Sequence, residues 1–362
     1  MPTKPSLRLL KSMTDEHILD ALLSEPALTR AELADRTGLS KPTVSDGVRR
    51  LEAAGLVRDT GERTSGRGGV GSYYALADGL GAALVVSIGP DGIIAESLDL
   101  LGAVLAREMA PVAVNARPVE VVRALQQMAR AVVGAASLAV VSAADPVDRD
   151  TGRLVQLPDS PFLVGELDPV QVLREFVGGP IEVDNDVNWA ARAEPGSADF
   201  AYLYLGEGLG CAVVSDGAVR RGHRGLAGEV SHLTVRGPRG QATTFIDIFG
   251  LLHLRKPDST AIDVDALVAA MASDGSLRSA IGYVVCDVLA ALVALADPEL
   301  IVIGGRWGMQ PEFVAELTEQ FSQRSRSVPL RPASNAIEAP LAGARQRAVA
   351  ALREQLFARV RG

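Results

Sequence analysis

The hydrophobic positions of the first 80 residues recur at helical spacing, and after that they shift to the alternation and short apolar runs of strands. From Asp15 to Leu23, the side chains of Ile18, Leu19, Leu22 and Leu23 fall on one face, which predicts a helix that Pro26 stops. In "TRAELADRTGLS", Thr29 and Glu32 have the spacing of a capping box, Leu33 faces inward and Gly38 supplies a sharp turn. A third helix is predicted from "SKPTVSDGVRRLEAAGLV". Ser40 is its N-cap, Pro42 is tolerated in the first turn, and Val44, Val48 and Leu51 recur at i, i+4 and i+7 before Gly55 closes it. Two strand-like pieces follow in "LVRDTGERTSGRGGVGSYYALA", around a glycine-rich tip carrying Arg63 and Arg67.

Two helices joined by a glycine turn, with a wing behind them, are the arrangement that lays a recognition helix in the major groove of double-stranded DNA. The outward residues of the third helix are Lys41, Thr43, Ser45, Asp46, Arg49 and Arg50. Ser40, Lys41, Thr43 and Ser45 stand at its N-terminal end, where hydroxyls and the helix dipole meet bases or phosphates. Arg49 and Arg50 sit further along, for phosphates. Arg67 on the wing tip suits the narrow, strongly negative minor groove of A·T-rich DNA. A small helical domain for protein contacts is the alternative.

From Leu80 the pattern predicts two α/β units in succession. "GAALVVSIGPDGIIAESLDLLGAVLARE" reads as three strands with turns at Pro90-Asp91-Gly92 and Gly102, followed by a helix after Pro118 and the strand "LAVVSAA". "FAYLYLGEGLGCAVVSDGAVRRG" repeats the hairpin pattern, and the buried strand "ELIVIGG" comes after a long apolar helix around Gly282 to Ala296. Two such units imply two lobes with a cleft between them, and such clefts hold ligands.

Charge changes this picture at the front end. The chain of 362 residues carries a net charge of −8, but residues 1–76 hold 11 Lys+Arg against 10 Asp+Glu, leaving the negative charge to the remainder. The overall acidity excludes a protein that coats nucleic acid indiscriminately. No apolar run of the roughly 18–20 residues needed to span a bilayer stands out, and the basic N-terminus lacks the apolar segment of a secretory signal. The expectation is a cytoplasmic protein without membrane contact. Cys211 and Cys286 lack the spacing of a redox pair or zinc knuckle and read as buried structural thiols.

Chemistry concentrates in "VDNDVNWAARAE" and "GLAGEVSH", where Asn185 and Asp186 are adjacent and Glu229 stands three residues before His232. Taken singly, the first pair reads as a polar loop cap and the second as a local helix-start pair. With "DPVDRDTGRL", "LPDSP", "GEGLG", "DGAVRRG" and "DPELIVIGG" in the same order, the chain after residue 80 resembles the ROK family of repressors, open reading frames and sugar kinases. The resemblance implies an α/β fold of actin-like, ribonuclease-H-like ATPase type, with a hexose site between its lobes, in homodimers or homotetramers. The expected domains are a winged helix-turn-helix over residues 1–78, a first lobe over 79–195, and a second lobe over 196–362 whose C-terminal helix packs back on the first.

By this resemblance Asp186 takes the position of the catalytic base, and Asp159, Asn185, Glu229 and His232 are the sugar-facing residues. The phosphate machinery departs from the family. Where kinases carry an Asp-x-Gly-Gly-Thr turn, this chain has Ser87 in place of the acid and Pro90 in place of a glycine, with no amide to donate. Glu207 stands in the second phosphate turn and repels the anion it should hold. Bound ATP is therefore not expected. The family's Cys-x-Cys-x4-Cys segment reads "RGPRGQATTFIDI", so its zinc site is absent and no cofactor is expected. Three readings stay open: a repressor whose degenerate kinase body senses a sugar or sugar derivative, an active sugar kinase, and a ligand-blind DNA-binding protein using the body as a scaffold.

Overall fold

The computed structural model describes residues 7–64, 70–90, 92–113, 116–157, 167–238, 240–335 and 338–361. The chain opens with helix α1 (Leu7–Ser24), then strand β1 (Leu28–Thr29), α2 (Arg30–Thr37), α3 (Lys41–Ala53), β2 (Val57–Arg63) and β3 (Ser72–Leu76). The first helix is longer than its apolar face alone predicts, beginning eight residues before Asp15. The Thr29 hydroxyl accepts from Glu32 N–H and the Glu32 carboxylate accepts from Thr29 N–H, at 3.2 and 2.8 Å, completing the capping box. Gly38 turns the chain at φ 71°, in the left-handed region that glycine enters without strain. Val44, Val48 and Leu51 are buried against Ile18, Leu19 and Leu22 of α1. Antiparallel pairing of β1 and β2 on either side of β3 forms the wing's three-stranded sheet.

The first lobe contains β4 (Ala83–Gly89), β5 (Gly92–Leu98), β6 (Val104–Ala110), α4 (Pro118–Val132), β7 (Leu138–Ala143), α5 (Pro169–Leu173), β8 (Ile181–Asn185) and α6 (Asp186–Arg192). Its sheet runs β6-β5-β4-β7-β8, with the hairpin strands antiparallel and the last two pairings parallel. The second lobe comprises β9 (Phe200–Leu205), β10 (Leu209–Ser215), β11 (Ala218–Val219), a 3-10 turn (Val230–His232), β12 (Thr234–Arg236), β13 (Ala242–Thr244), α7 (Asp247–Leu251), α8 (Val264–Ser273), α9 (Gly275–Ala296), β14 (Leu300–Gly304), α10 (Pro311–Ser322), β15 (Leu330–Pro332) and α11 (Ala339–Arg361). Its main sheet, β11-β10-β9-β14-β15, repeats the first in order and in sense of pairing. The repeated hairpin pattern in the sequence thus marks a repeated architectural unit.

Helix α9 corrects one expectation. Its 22 residues are long and apolar enough, by length and composition, to cross a membrane. Its apolar face is instead packed into the second-lobe core, where Ile281, Val285, Val288 and Leu289 meet Phe313, Leu317 and Phe321 of α10. Cys211 on β10 and Cys286 on α9 are both buried, and burial pushes their thiols up to about 12 and about 11 respectively.

Helix α11 returns to the first lobe and packs on β4, β7 and α6. Arg345 donates two 2.6 Å bonds to Glu96, a carboxylate with no solvent exposure on β5, and Arg107 adds a third at 2.8 Å. Two guanidiniums on one buried carboxylate supply the compensation that such a charge requires. The same helix also packs on α1. The core of the DNA-binding domain consequently runs through Leu80, Leu352 and Leu356 into the first lobe without a break.

Candidate ligand pocket and nucleic-acid interface

The candidate pocket begins at the end of β8. Asn185 caps α6: Val187 N–H donates to Asn185 Oδ1 at 2.9 Å and to Asp186 Oδ1 at 2.8 Å. The Asn185 amide donates to the Asp145 carbonyl at 3.2 Å and the Ala143 carbonyl at 3.4 Å. Its side chain therefore holds the helix start and the neighbouring loop, as the plain capping reading has it, while still lining the pocket. Trp189 pins α6 from behind, its indole N–H donating to the Val141 carbonyl at 2.9 Å.

The opposite wall comes from the second lobe. Gly228 has φ 98°, and a Cβ there would run into the carbonyl oxygen of Cys211 on β10. This glycine lets the loop press against the strand, with Cys211 N–H donating to its carbonyl at 2.9 Å, and Glu229 follows directly. The pocket is lined by Asn185 and Asp186 from one lobe and by Tyr204, Gly210, Glu229 and His232 from the other. Four of the five sugar-facing candidates thus converge. The fifth, Asp159, lies outside the described residues. His232 is exposed at the rim, next to Asp247, whose carboxyl is held low chiefly by the Thr244 hydroxyl and then by Arg255.

Both pocket carboxyls are harder to ionise than usual. Burial pushes Asp186 up to about 7, against the pull of the Val187 amide. Glu229 is pushed up to about 7 by burial and, beyond that, by the negative charge of Asp186. Near neutrality both carboxyls then stand close to half-protonated, so the pocket can both donate to and accept from hydroxyl groups.

Asp186 and Tyr204 also line a second pocket, on the far side of the base position, with Ser87, Pro90, Met109 and Leu341. This is where the first phosphate turn was expected. At the second phosphate turn, the charge on Glu207 is answered by Lys256, whose ammonium lies 2.6 Å from it. The expected repulsion is therefore partly neutralised, and the ion pair ties the turn to the segment after α7. Sequence reasoning missed Lys256, although its rarity as one of four lysines was a signal.

Behind the pocket lies a further group it missed. Asp184, nearly fully buried on β8, accepts from Asn185 N–H and the Asn188 amide at 2.9 and 2.8 Å, and faces Arg221 of the second lobe at 3.2 Å. Burial raises its pKa, against the opposing pull of Arg221. The three-residue run Asp-Asn-Asp was the visible signal, but its cross-lobe partner was not.

On the DNA-binding domain, Lys41 and Arg49 are exposed, and Thr43 and Ser45 are half-buried on the outer face of α3. The Ser40 hydroxyl caps the helix and lies 2.7 Å from the Thr43 hydroxyl. Arg49 bonds Asp46 at 2.6 Å in an open pair. Arg50 departs from the expectation of a phosphate contact: it donates two bonds, 2.5 and 3.2 Å, to the mostly buried Asp15 of α1. A guanidinium committed to a buried carboxylate joins two helices instead of reaching outward. Arg63 pairs with Asp59 at 2.9 Å, and Arg67 lies outside the described residues.

Residues 84–245 match the ROK family and residues 13–58 match a winged helix-turn-helix DNA-binding family. The xylose repressor of Caldicellulosiruptor bescii is 24% identical over 358 residues, covering 88% of this chain and 89% of that protein. The bifunctional enzyme NanE/NanK of Brucella suis is 35% identical over 167 residues, covering 43% of this chain and 31% of the enzyme. The chain thus spans about a third of the length of that relative. A solved ROK family transcriptional regulator, a homolog of the E. coli MLC protein, shares the fold at TM-score 0.65 and 17% identity, covering 97% of this chain and 99% of that one.

Proposed function

We propose that this chain, which carries a ROK-family domain behind a winged helix-turn-helix, is a transcriptional repressor that binds a double-stranded DNA operator and is released from it by a sugar or sugar derivative. The observation that carries the reading is the convergence of Asn185, Asp186, Glu229 and His232 on one pocket, in a chain whose DNA-binding domain shares a continuous core with the lobe below it. The likeness to xylose repressors along most of the chain supports the same reading. It acts in the cytoplasm, as a homodimer or homotetramer, so that two recognition helices meet half-sites about one helical turn, roughly 34 Å, or a multiple apart.

In this reading Ser40, Lys41, Thr43, Ser45 and Arg49 face the operator and Arg67 enters the minor groove. Asp186 holds a sugar hydroxyl where a kinase would use it as a base. The loss of phosphoryl transfer is supported chiefly by Ser87 and Pro90, one acid gone and one amide gone where phosphates would sit, and less by Glu207, whose charge Lys256 answers. Ligand that draws the lobes together favours one arrangement of the dimer over another, and DNA affinity follows the population.

The test is an anisotropy titration of labelled DNA from upstream of the protein's own gene, at fixed salt, with and without hexoses, pentoses and their phosphates. Specific binding released by one sugar supports the sensor. Specific binding that no sugar alters refutes sensing and leaves a ligand-blind regulator. Kinases among the relatives keep phosphoryl transfer as a second reading, and sugar-dependent ATP consumption in a coupled assay would establish it against the first. With Asp186→Ala, release by sugar is expected to vanish while DNA affinity stays. Collapse of DNA binding would make Asp186 structural.

A further inference from the structure

The two pockets that meet at Asp186 differ in size and in chemistry. The one on the Glu229 side has a cavity volume of about 70 Å3, and the one on the Pro90 side about 190 Å3, so a ligand seated against Glu229 has further space open to it beyond Asp186. Asp186 and Tyr204 line both, which makes the two spaces neighbours across one carboxyl and one phenol ring.

The larger space is not built for an anion. Among the described residues that line it, the charged ones are Asp186 and Glu338, both acids. Arg107 and Arg345 stand nearby, but each is taken up by Glu96 and Glu338, at 2.6 to 3.3 Å. The N-terminus of α11 opens on this space, but Glu338 precedes the helix and Pro340 removes one of its first free amides. The other walls include Ser87, Pro90, Met109, Leu341 and the phenol rings of Tyr202 and Tyr204, a surface mostly of apolar edges and aromatic rings. Such walls suit the C–H faces of an uncharged ring, whereas a phosphate would lose its hydration beside Asp186 and meet no lysine or arginine among the described residues that line the space.

We propose that the effector is a neutral O-substituted sugar, a disaccharide or glycoside, with one ring against Asp186, Glu229 and His232 and the substituent lodged between Pro90, Met109, Tyr204 and Leu341. The inference rests on the sensor reading and narrows it. A free monosaccharide leaves the larger space to water, and a sugar phosphate carries the wrong charge into it.

The test is isothermal titration of the purified full chain with maltose, cellobiose, lactose, melibiose and sucrose, with their component monosaccharides, and with glucose 6-phosphate and galactose 6-phosphate. One neutral disaccharide is expected to bind at least about tenfold more tightly than either of its monosaccharides and than both phosphates. The accompanying variant is Met109→Trp, at a residue 64% exposed on the edge strand β6, so the bulkier ring narrows the mouth without entering the core. It is expected to weaken the disaccharide severalfold and leave monosaccharide binding as it was. A monosaccharide or a phosphate that binds as tightly as any disaccharide overturns this inference and leaves the sensor standing. Equal weakening of both ligand classes by Met109→Trp overturns it too. If nothing binds from any class, this inference falls, and release of DNA by pentoses or other sugars in the anisotropy titration decides the sensor reading separately.

Discussion

Arg361, in the last turn of α11, donates two hydrogen bonds of 2.8 and 2.9 Å to the Glu16 carboxylate of α1. The first turn of the same helix, at Ala339 to Leu341, lines the pocket beside Asp186. One helix of 23 residues, roughly 34 Å long at 1.5 Å per residue, thus touches the candidate ligand cleft at one end and the DNA-binding domain at the other.

Breaking that grip tests whether α11 carries the signal. Arg361→Ala removes an exposed ion pair, and such pairs add little to stability. The melting temperature is expected to stay nearly unchanged, and both DNA and sugar binding to persist, while sugar no longer lowers DNA affinity. Anisotropy with and without the effector reads this directly. Undiminished release in the variant would take α11's end contact out of the pathway.

The two neighbouring arginines of α3 are expected to behave oppositely. Arg50→Ala leaves Asp15, 8% exposed, without its bidentate partner and is expected to cost about 1–3 kcal/mol in urea denaturation. Arg49→Ala is expected to leave stability alone, weaken operator binding and reduce the salt slope of binding by about one. A stable Arg50→Ala protein with a lowered salt slope would return Arg50 to the DNA-facing set.

The raised carboxyls of the pocket give stability a specific pH dependence. A carboxyl whose pKa is about 7 folded and about 4 unfolded binds more protons in the folded state, so its contribution falls as pH climbs through that window and levels off above it. Asp186→Asn removes one such group and relieves Glu229 of a negative neighbour. Relative to the unsubstituted protein, the variant is expected to gain about 1–3 kcal/mol between pH 5 and pH 8 in chemical denaturation. A difference that stays constant with pH would mean that Asp186 ionises normally and does not hold Glu229 up.

Gly228 is expected to tolerate no side chain. Its φ of 98° is strained for any other residue, and a Cβ would meet the Cys211 carbonyl. Gly228→Ala is expected to lower stability by at least about 2 kcal/mol and to weaken sugar binding, because Glu229 moves with the loop. A variant with the parent's melting temperature would show that the loop has room to shift.

What the sequence by itself determined was set by neighbours within a few residues. The Thr29–Glu32 box, the Gly38 turn, the Ser40 cap and the buried face of Val44, Val48 and Leu51 all follow from spacing, because a helix brings i, i+3 and i+4 together whatever lies around it. The strands of both lobes were legible for the same reason, through hairpin turns and apolar runs, and the ordered motifs pointed to the family. Tertiary structure alone decided which side chains were already committed. Arg50 meets Asp15 35 residues away, and Lys256 meets Glu207 49 residues away. Pairing across such distances depends on how the elements dock, which no local pattern encodes. The same holds for Asp186 and Glu229: they lie on different lobes, and their shared pocket and raised pKa values arise only when folding removes water from both and sets their charges side by side.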